Sequence, residues 1–199
     1  MDKHFEDLLI QYVQSTPEQR QRIEATLWQE FGTVKAVFVM DLSGFSLLTQ
    51  KYGIVHYLSM VKRMQLTTLP IVEKHGGEVI KFEADNCFAM FPDVLPAVQA
   101  SVELNQTFDH LNQHTEPPFD IKVSIGIDYG PVLLIGGPDY FGDTVNCASK
   151  IGEDVARPGE IYLTERAFAR LPAQLGFRGE KLGISISGIH LNVVNLNYG

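Results

Sequence analysis

The sequence is poor in cysteine, with two residues in 199, and it carries a single tryptophan. Cys87 and Cys147 fall in stretches that read as regular structure. A disulfide framework is therefore excluded as the source of stability, and both are expected as reduced, buried thiols. Long apolar runs are missing too. The opening MDKHFEDLLIQYVQ is charged, so neither a secretory signal nor a membrane segment is expected, and the cytoplasm is the expected location. Positive charge is short: 16 lysines and arginines face 24 acids, for a net charge of −8. That argues against a nucleic-acid or anionic-membrane partner, but not against a small anion held by a few local cations or a metal. The histidines, His4, His56, His75, His110, His114 and His190, show no metal-ligand spacing. There is no G-x-S-x-G motif and no Cys–His pairing, so side-chain nucleophilic catalysis has no visible basis.

What is present is a globular balance, 45% hydrophobic and 20% charged, with enough length for one full core. Thr16-Pro17-Glu18-Gln19 has the form of a capping box. Ile23, Leu27, Trp28 and Phe31 follow as an apolar stripe closed by Gly32. Residues 1–32 thus read as an N-terminal helical appendage, open to a regulatory partner, and residues 33–199 as the main domain. There, residues 34–40 form a buried strand ending in Asp41, and Leu42-Ser43-Gly44-Phe45 opens a helix. A longer helix spans 54–75, bent at Pro70 and ended by Gly76-Gly77. Residues 78–82 and 87–91 form a hairpin, and 93–112 an amphipathic helix. A strand at 121–127 and a short one at 132–135 are separated by a Tyr-Gly-Pro turn. A helix over 144–155 is capped by Asp143, a strand comes next at 161–163, then a short helix at 165–171, and a strand pair within 183–196. The expected class is α+β: a ferredoxin-like βααββαβ core with extra C-terminal strands, its sheet covered by helices.

Charge inside the hairpin KFEADNCFAMF is the local anomaly. Asp41 ends a strand and Asp85 sits in the hairpin turn. Taken singly, these are ordinary cap and turn positions. If the hairpin lies beside the first strand, both carboxylates reach one sheet edge, where they repel unless a cation lies between them. An oxygen-only ligand set suits Mg²⁺ or Mn²⁺. Gly44 and Phe45 begin a helix whose free N–H groups can cradle phosphate. Asn146 and Lys150 are one helical turn apart, a pairing that a solvated helix face would also explain. A lone strand lysine such as Lys81 ordinarily pairs with a neighbour such as Glu83.

Taken together, VFVMDLSGF (37–45), the K-x-x-x-D of 81–85, VSIGIDYGPV (123–132) and DYFGDTVNCASK (139–150) resemble the catalytic domain of class III nucleotidyl (adenylate/guanylate) cyclases. The resemblance runs from about residue 34 to 196. It implies that Asp41 and Asp85, with the carbonyl of Leu42, hold two Mg²⁺ or Mn²⁺ ions. It implies that Lys81 and Asp139 read the purine, that Asn146 orients the ribose, and that Lys150 stands where the family usually has a transition-state arginine. It further implies a head-to-tail homodimer with shared active sites, ATP as substrate from the Lys81/Asp139 pair, and cyclic AMP as product. The departures are Lys150 for arginine, Ser124 where many members have a phosphate-binding arginine, Ser187-Gly188-Ile189 in place of a lysine-bearing segment, Ala84 for glycine, and the additional acid Glu83. They keep open a second reading, a weak or inactive nucleotide-binding or regulatory module. A purely structural dimerisation domain is a third.

Overall fold

The computed structural model describes residues 2–136, 139–186 and 188–198, apart from the side chains of Phe45, Ser46 and Ile189. In chain order the elements are α1 (Lys3–Gln14), α2 (Pro17–Phe31), β1 (Gly32–Leu42), α3 (Phe45–Tyr52), α4 (Ile54–Lys74), β2 (Glu78–Glu83), β3 (Asn86–Phe91), α5 (Val94–Asn112), β4 (Val123–Ile135), β5 (Asp139–Phe141), α6 (Asp143–Lys150), β6 (Ile161–Thr164), α7 (Glu165–Phe168), β7 (Arg178–Ile186) and β8 (Ile189–Asn197). The run from β1 to β4 is the expected βααββαβ core. One sheet has the order β2-β3-β1-β4-β6-β8-β7, with β5 folded back on β4.

Strand alternation decides what each face carries. On β1, Ala36, Phe38, Met40 and Leu42 point into the main core, where the buried stripe of α4 (Tyr57, Met60, Val61, Met64, Ile71) meets Val94, Val98, Leu104 and Phe108 of α5. Val37 and Val39 point the other way. They pack with Met90, Val132, Tyr140 and Ala148 beneath α6. Asp41 continues this second set, so the period of the strand brings it out on the α6 face.

The appendage starts with the expected chemistry. The Thr16 hydroxyl accepts from the Gln19 N–H at 3.4 Å, and the Gln19 side chain accepts from the Thr16 N–H at 3.0 Å. Phe5, Leu8 and Leu27 close over Ile135 and Leu133 at the end of β4, so most of the stripe is spent within the chain.

Several local expectations are corrected. β4 is one continuous strand rather than two. Its far half has only β1 and the short β5 as neighbours, and proline is tolerated where its nitrogen faces an unpaired side. Pro131 pairs in register with Val34, and its carbonyl accepts from the Thr144 hydroxyl at 2.9 Å. Helix α6 is capped by Gly142, at φ 150°, not by Asp143, which occupies the first turn. The helix over 144–155 is α-helical only to Lys150. It then widens into a π-helical turn, Ile151–Val155. Helix α4, by contrast, runs through Pro70 to Lys74 as the sequence predicts. A polar lock that the sequence does not announce ties β4 to β6 and α7: fully buried Asp128 accepts from the Thr164 hydroxyl and, at 2.8 Å, from Arg166 Nε.

Candidate active site

Asp41 lies at the open end of β1, paired in register with Asn86 on β3 and Ser124 on β4, so the three side chains share one face. Asp85 precedes Asn86 in the turn from β2. That turn needs a left-handed residue, and Ala84 supplies it at φ 51°, the one positive-φ non-glycine among the described residues. The Leu42 N–H donates to the Asp85 carbonyl at 3.2 Å, which clamps the turn against the end of β1. From α4, the phenol of buried Tyr57 donates to the Asp85 carboxylate.

The electrostatics are strained in one direction. Burial, then the charges of Asp85 and Glu153, push Asp41 up to about 7. Burial also raises Asp85, against the opposing pull of its own backbone N–H and of Tyr57. Glu153 is raised by burial and by Asp154, Asp85 and Glu83, with Lys150 pulling the other way. Asn86 Oδ1 is buried with no hydrogen-bond partner among the described residues. Crowded carboxylates beside an orphaned amide oxygen form a donor set suited to a hard divalent cation, so the residues present fit Mg²⁺ or Mn²⁺. Asp41 and Asp85 would hold it, with the Leu42 carbonyl adjacent. Among the described residues no three acidic, histidine or cysteine side chains converge closely enough to bind one ion directly.

Gly44 takes φ 84° at the start of α3, and no side chain caps that helix. Its first-turn N–H groups are thus left for a ligand or solvent, as a phosphate cradle requires. The side chain of Phe45 lies outside the described residues, as does Ser187.

The remaining candidates fall into two groups. Lys81 Nζ pairs with Glu83 at 2.7 Å and sits 5.2 Å from the centre of the Phe88 ring. Asp139 opens β5, and its neighbour Tyr140 packs in the same cluster as Ile80 and Phe88. The backfolded β5 thus packs through Tyr140 against side chains of β2 and β3. Asn146 and Lys150 share one side of α6 and line a shallow depression of about 280 Å³ with Ser149, Glu153 and Asp154. That depression includes neither Asp41 and Asp85 nor Lys81 and Asp139.

Residues 28–188 match the model of the adenylate and guanylate cyclase catalytic domain. The chain belongs to this family. An adenylate cyclase of Streptomyces coelicolor is 30% identical over 134 residues, covering 67% of this chain and 33% of that protein. A putative adenylate cyclase 3 of Rhizobium meliloti is 26% identical over 130 residues, 65% of this chain and 22% of that protein. The chain thus spans a third or less of these curated relatives. Among solved structures, the guanylyl cyclase Cya2 superposes with a TM-score of 0.73 at 17% identity, covering 83% of this chain and 92% of that one. The fold is thus that of cyclase catalytic domains that differ in their named purine. No helix among the described residues is long and apolar enough to cross a membrane.

Two residues of this cyclase domain were missed in the sequence. Tyr57 sits in an apolar stripe and reads as core packing. Glu153 reads as a helix-surface acid, because its approach to Asp41 depends on the π-turn.

The raised pKa of Asp41 makes a stability prediction. Below about pH 4 the carboxyl is protonated both folded and unfolded. From there to about pH 7 only the unfolded chain loses the proton, so the cation-free protein loses stability as pH rises, and above about pH 7 the loss is constant. Asp41→Asn removes the ionisation. In EDTA, melting curves of the two proteins should coincide near the acid end and diverge toward neutrality, with the variant more stable. Added Mn²⁺ should raise the melting temperature of the wild type only. Parallel pH profiles would refute the account.

Proposed function

We propose that this domain is an adenylate cyclase that converts ATP to 3′,5′-cyclic AMP and pyrophosphate in a head-to-tail homodimer with shared active sites. The observation that carries the reading is the Asp41–Asp85 pair, crowded at one strand end with no compensating cation among the described residues and next to the glycine-opened start of α3. Divalent ions bound there would acidify the ribose 3′-hydroxyl and neutralise the triphosphate. Every other contribution comes from side chains and backbone. The N–H groups at Gly44 and beyond hold phosphate oxygens. Lys81 donates to adenine N1 and Asp139 accepts from its N6 amino group. Asn146 fixes the ribose so that the 3′-oxygen stands in line with the α-phosphorus, and Lys150 offsets the charge developing there.

A specific observation favours the second reading, a weak or silent nucleotide-binding module. Candidate cations are already engaged by acids: Lys81 by Glu83 at 2.7 Å and, on β7 at the far edge of the sheet, Lys181 by Glu165 at 2.7 Å, while the charge of Lys150 acts on Glu153. Turnover separates the two. Purified protein with ATP or GTP and Mn²⁺ or Mg²⁺ should form cyclic AMP in preference to cyclic GMP. The rate should rise more steeply than linearly with protein concentration, and it should fall at least about 100-fold in Asp41→Ala. Nucleotide binding without turnover by a verified dimer would establish the module instead.

A further inference from the structure

We propose that the N-terminal helices are a positioning element for purine choice: through Ile135 they hold the β4–β5 hairpin, and with it Asp139. This rests on the base-reading role proposed above for Asp139 and adds the residues that keep it in place. The sheet itself holds the hairpin poorly. β1 pairs with β4 only as far as Leu133, opposite Gly32. β6 pairs with β4 over Ile125, Gly126 and Ile127, toward the other end. Leu134 and Ile135 run past both neighbours. Among the described residues their only strand partner is β5, three residues long.

A two-stranded ribbon is marginal on its own in water, so this overhang needs packing from outside the sheet. Two clusters supply it. Leu134 and Tyr140, paired across the ladder, join Val132, Val145 and Ala148 on the α6 side. Alternation sends Leu133 and Ile135 to the opposite face, where they meet Phe5 and Leu8 of α1 and Leu27 of α2. Phe5 is held in turn by Phe31, edge to face with ring centroids 5.2 Å apart. Ile135 is fully buried although it ends its strand, and the other buried side chains of its cluster all come from the two N-terminal helices.

Register converts this packing into a position. Ile135 pairs directly with Asp139, and Leu133 with Phe141. Opposed residues of an antiparallel pair have Cα atoms about 4.5–5.5 Å apart. The two β4 side chains beneath the helices are therefore the cross-strand neighbours of both ends of β5. A carboxylate that reads a base through one hydrogen bond discriminates only while it is held within about 0.5 Å of its place. Helices α1 and α2 supply that hold from the face away from α6.

The test reads amide hydrogen exchange and nucleotide choice in the whole chain. Leu8→Ala and Ile135→Ala should speed exchange of residues 139–141 about 10-fold, while α5 exchanges as in the wild type and so reports an intact core. Affinities for 3′-deoxy-ATP and 3′-deoxy-GTP with Mn²⁺ are measured alongside, since these lack the attacking hydroxyl and need no turnover. In both variants the preference for the adenine nucleotide should fall about 5-fold, the scale of one hydrogen bond. Ile135→Val should behave as the wild type. A purely structural role would lower both affinities equally and leave the preference where it was. Unchanged exchange at residues 139–141 in both variants overturns the inference. So does a preference that holds in both variants while Asp139→Ala lowers it, in which case the role of Asp139 stands. A preference that Asp139→Ala itself does not move removes that role, and the inference with it.

Discussion

An equal mixture of Asp41→Ala and Asn146→Ala proteins is expected to make cyclic AMP at about a quarter of the wild-type rate, although neither variant does so alone. The expectation comes from how the chain distributes its candidates. Asp41 and Asp85 belong to the β1 end and the hairpin turn, whereas Asn146 and Lys150 line a separate depression on α6. In a head-to-tail dimer one site draws its acids from one chain and its helix face from the other. Each single variant then damages both of its sites, and loss of a cation ligand alone should cost at least about 100-fold. In a mixed dimer both lesions fall in one site and the other is intact. Random pairing makes half the dimers mixed, each with one working site of two, hence the quarter. Sites complete within one chain would give no recovery at any ratio. Tagging one variant and measuring how much of the untagged one is captured with it confirms that exchange took place.

The parts legible in the sequence were those set by local periodicity. The alternation of β1 places Asp41 opposite the core face, and the hairpin turn, expected over four residues and found as the two residues Ala84-Asp85, sets Asp85 beside it. The Asn146–Lys150 spacing needs only one helical turn. The parts that stayed hidden depend on neighbours distant in sequence. Gly130-Pro131 reads as a turn, but the long pairing with β1 carries β4 straight through it. Asp143 reads as a cap by residue type, whereas Gly142 holds that position because its φ of 150° brings it close to the Pro131 carbonyl. Glu153 becomes visible only once Gly152 is seated between Val39 and Gly126, a contact among three elements. Tyr57 is concealed differently: its ring fills the apolar stripe of α4, and only its hydroxyl, directed at Asp85, has a polar task.

The departures from the family pattern acquire a physical sense from these contacts. Ser124 replaces a cation in the family pattern, and its hydroxyl is spent on the turn that carries Glu153. Ala84 stands in a left-handed conformation that glycine would adopt without the Cβ penalty of about 1–2 kcal/mol. Strain of this kind persists where the surrounding structure holds it, here by the Leu42–Asp85 backbone bond and the Tyr57 hydroxyl. Under the proposed function, the phosphate end would be less basic and more acidic than the family pattern, and charge neutralisation would rest more on bound cations.

Exchanging the pair proposed to read the base should invert the expected purine preference. Lys81→Glu with Asp139→Cys is expected to move the ratio of kcat/KM for ATP over GTP by about 100-fold or more toward GTP. Adenine presents an acceptor at N1 and a donor at N6, matched by a lysine and a carboxylate. Guanine presents a donor at N1 and an acceptor at O6, which a lysine and an ionised aspartate oppose at both points. The wrong base leaves two buried polar groups unpaired, and that penalty sets the scale of discrimination. The local structure adds a constraint. Lys81 is bound to Glu83 and lies over Phe88, so a glutamate placed there faces Glu83 without a counter-charge. The absolute rate of the double variant should therefore fall even as its preference turns, and adding Glu83→Gln should recover rate without restoring ATP. The ratio is the decisive readout, because a general loss of fold or dimer lowers both substrates equally. An unchanged ratio would mean that Lys81 and Asp139 do not touch the base, and that the Lys81–Glu83 pair is simply a surface ion pair on β2.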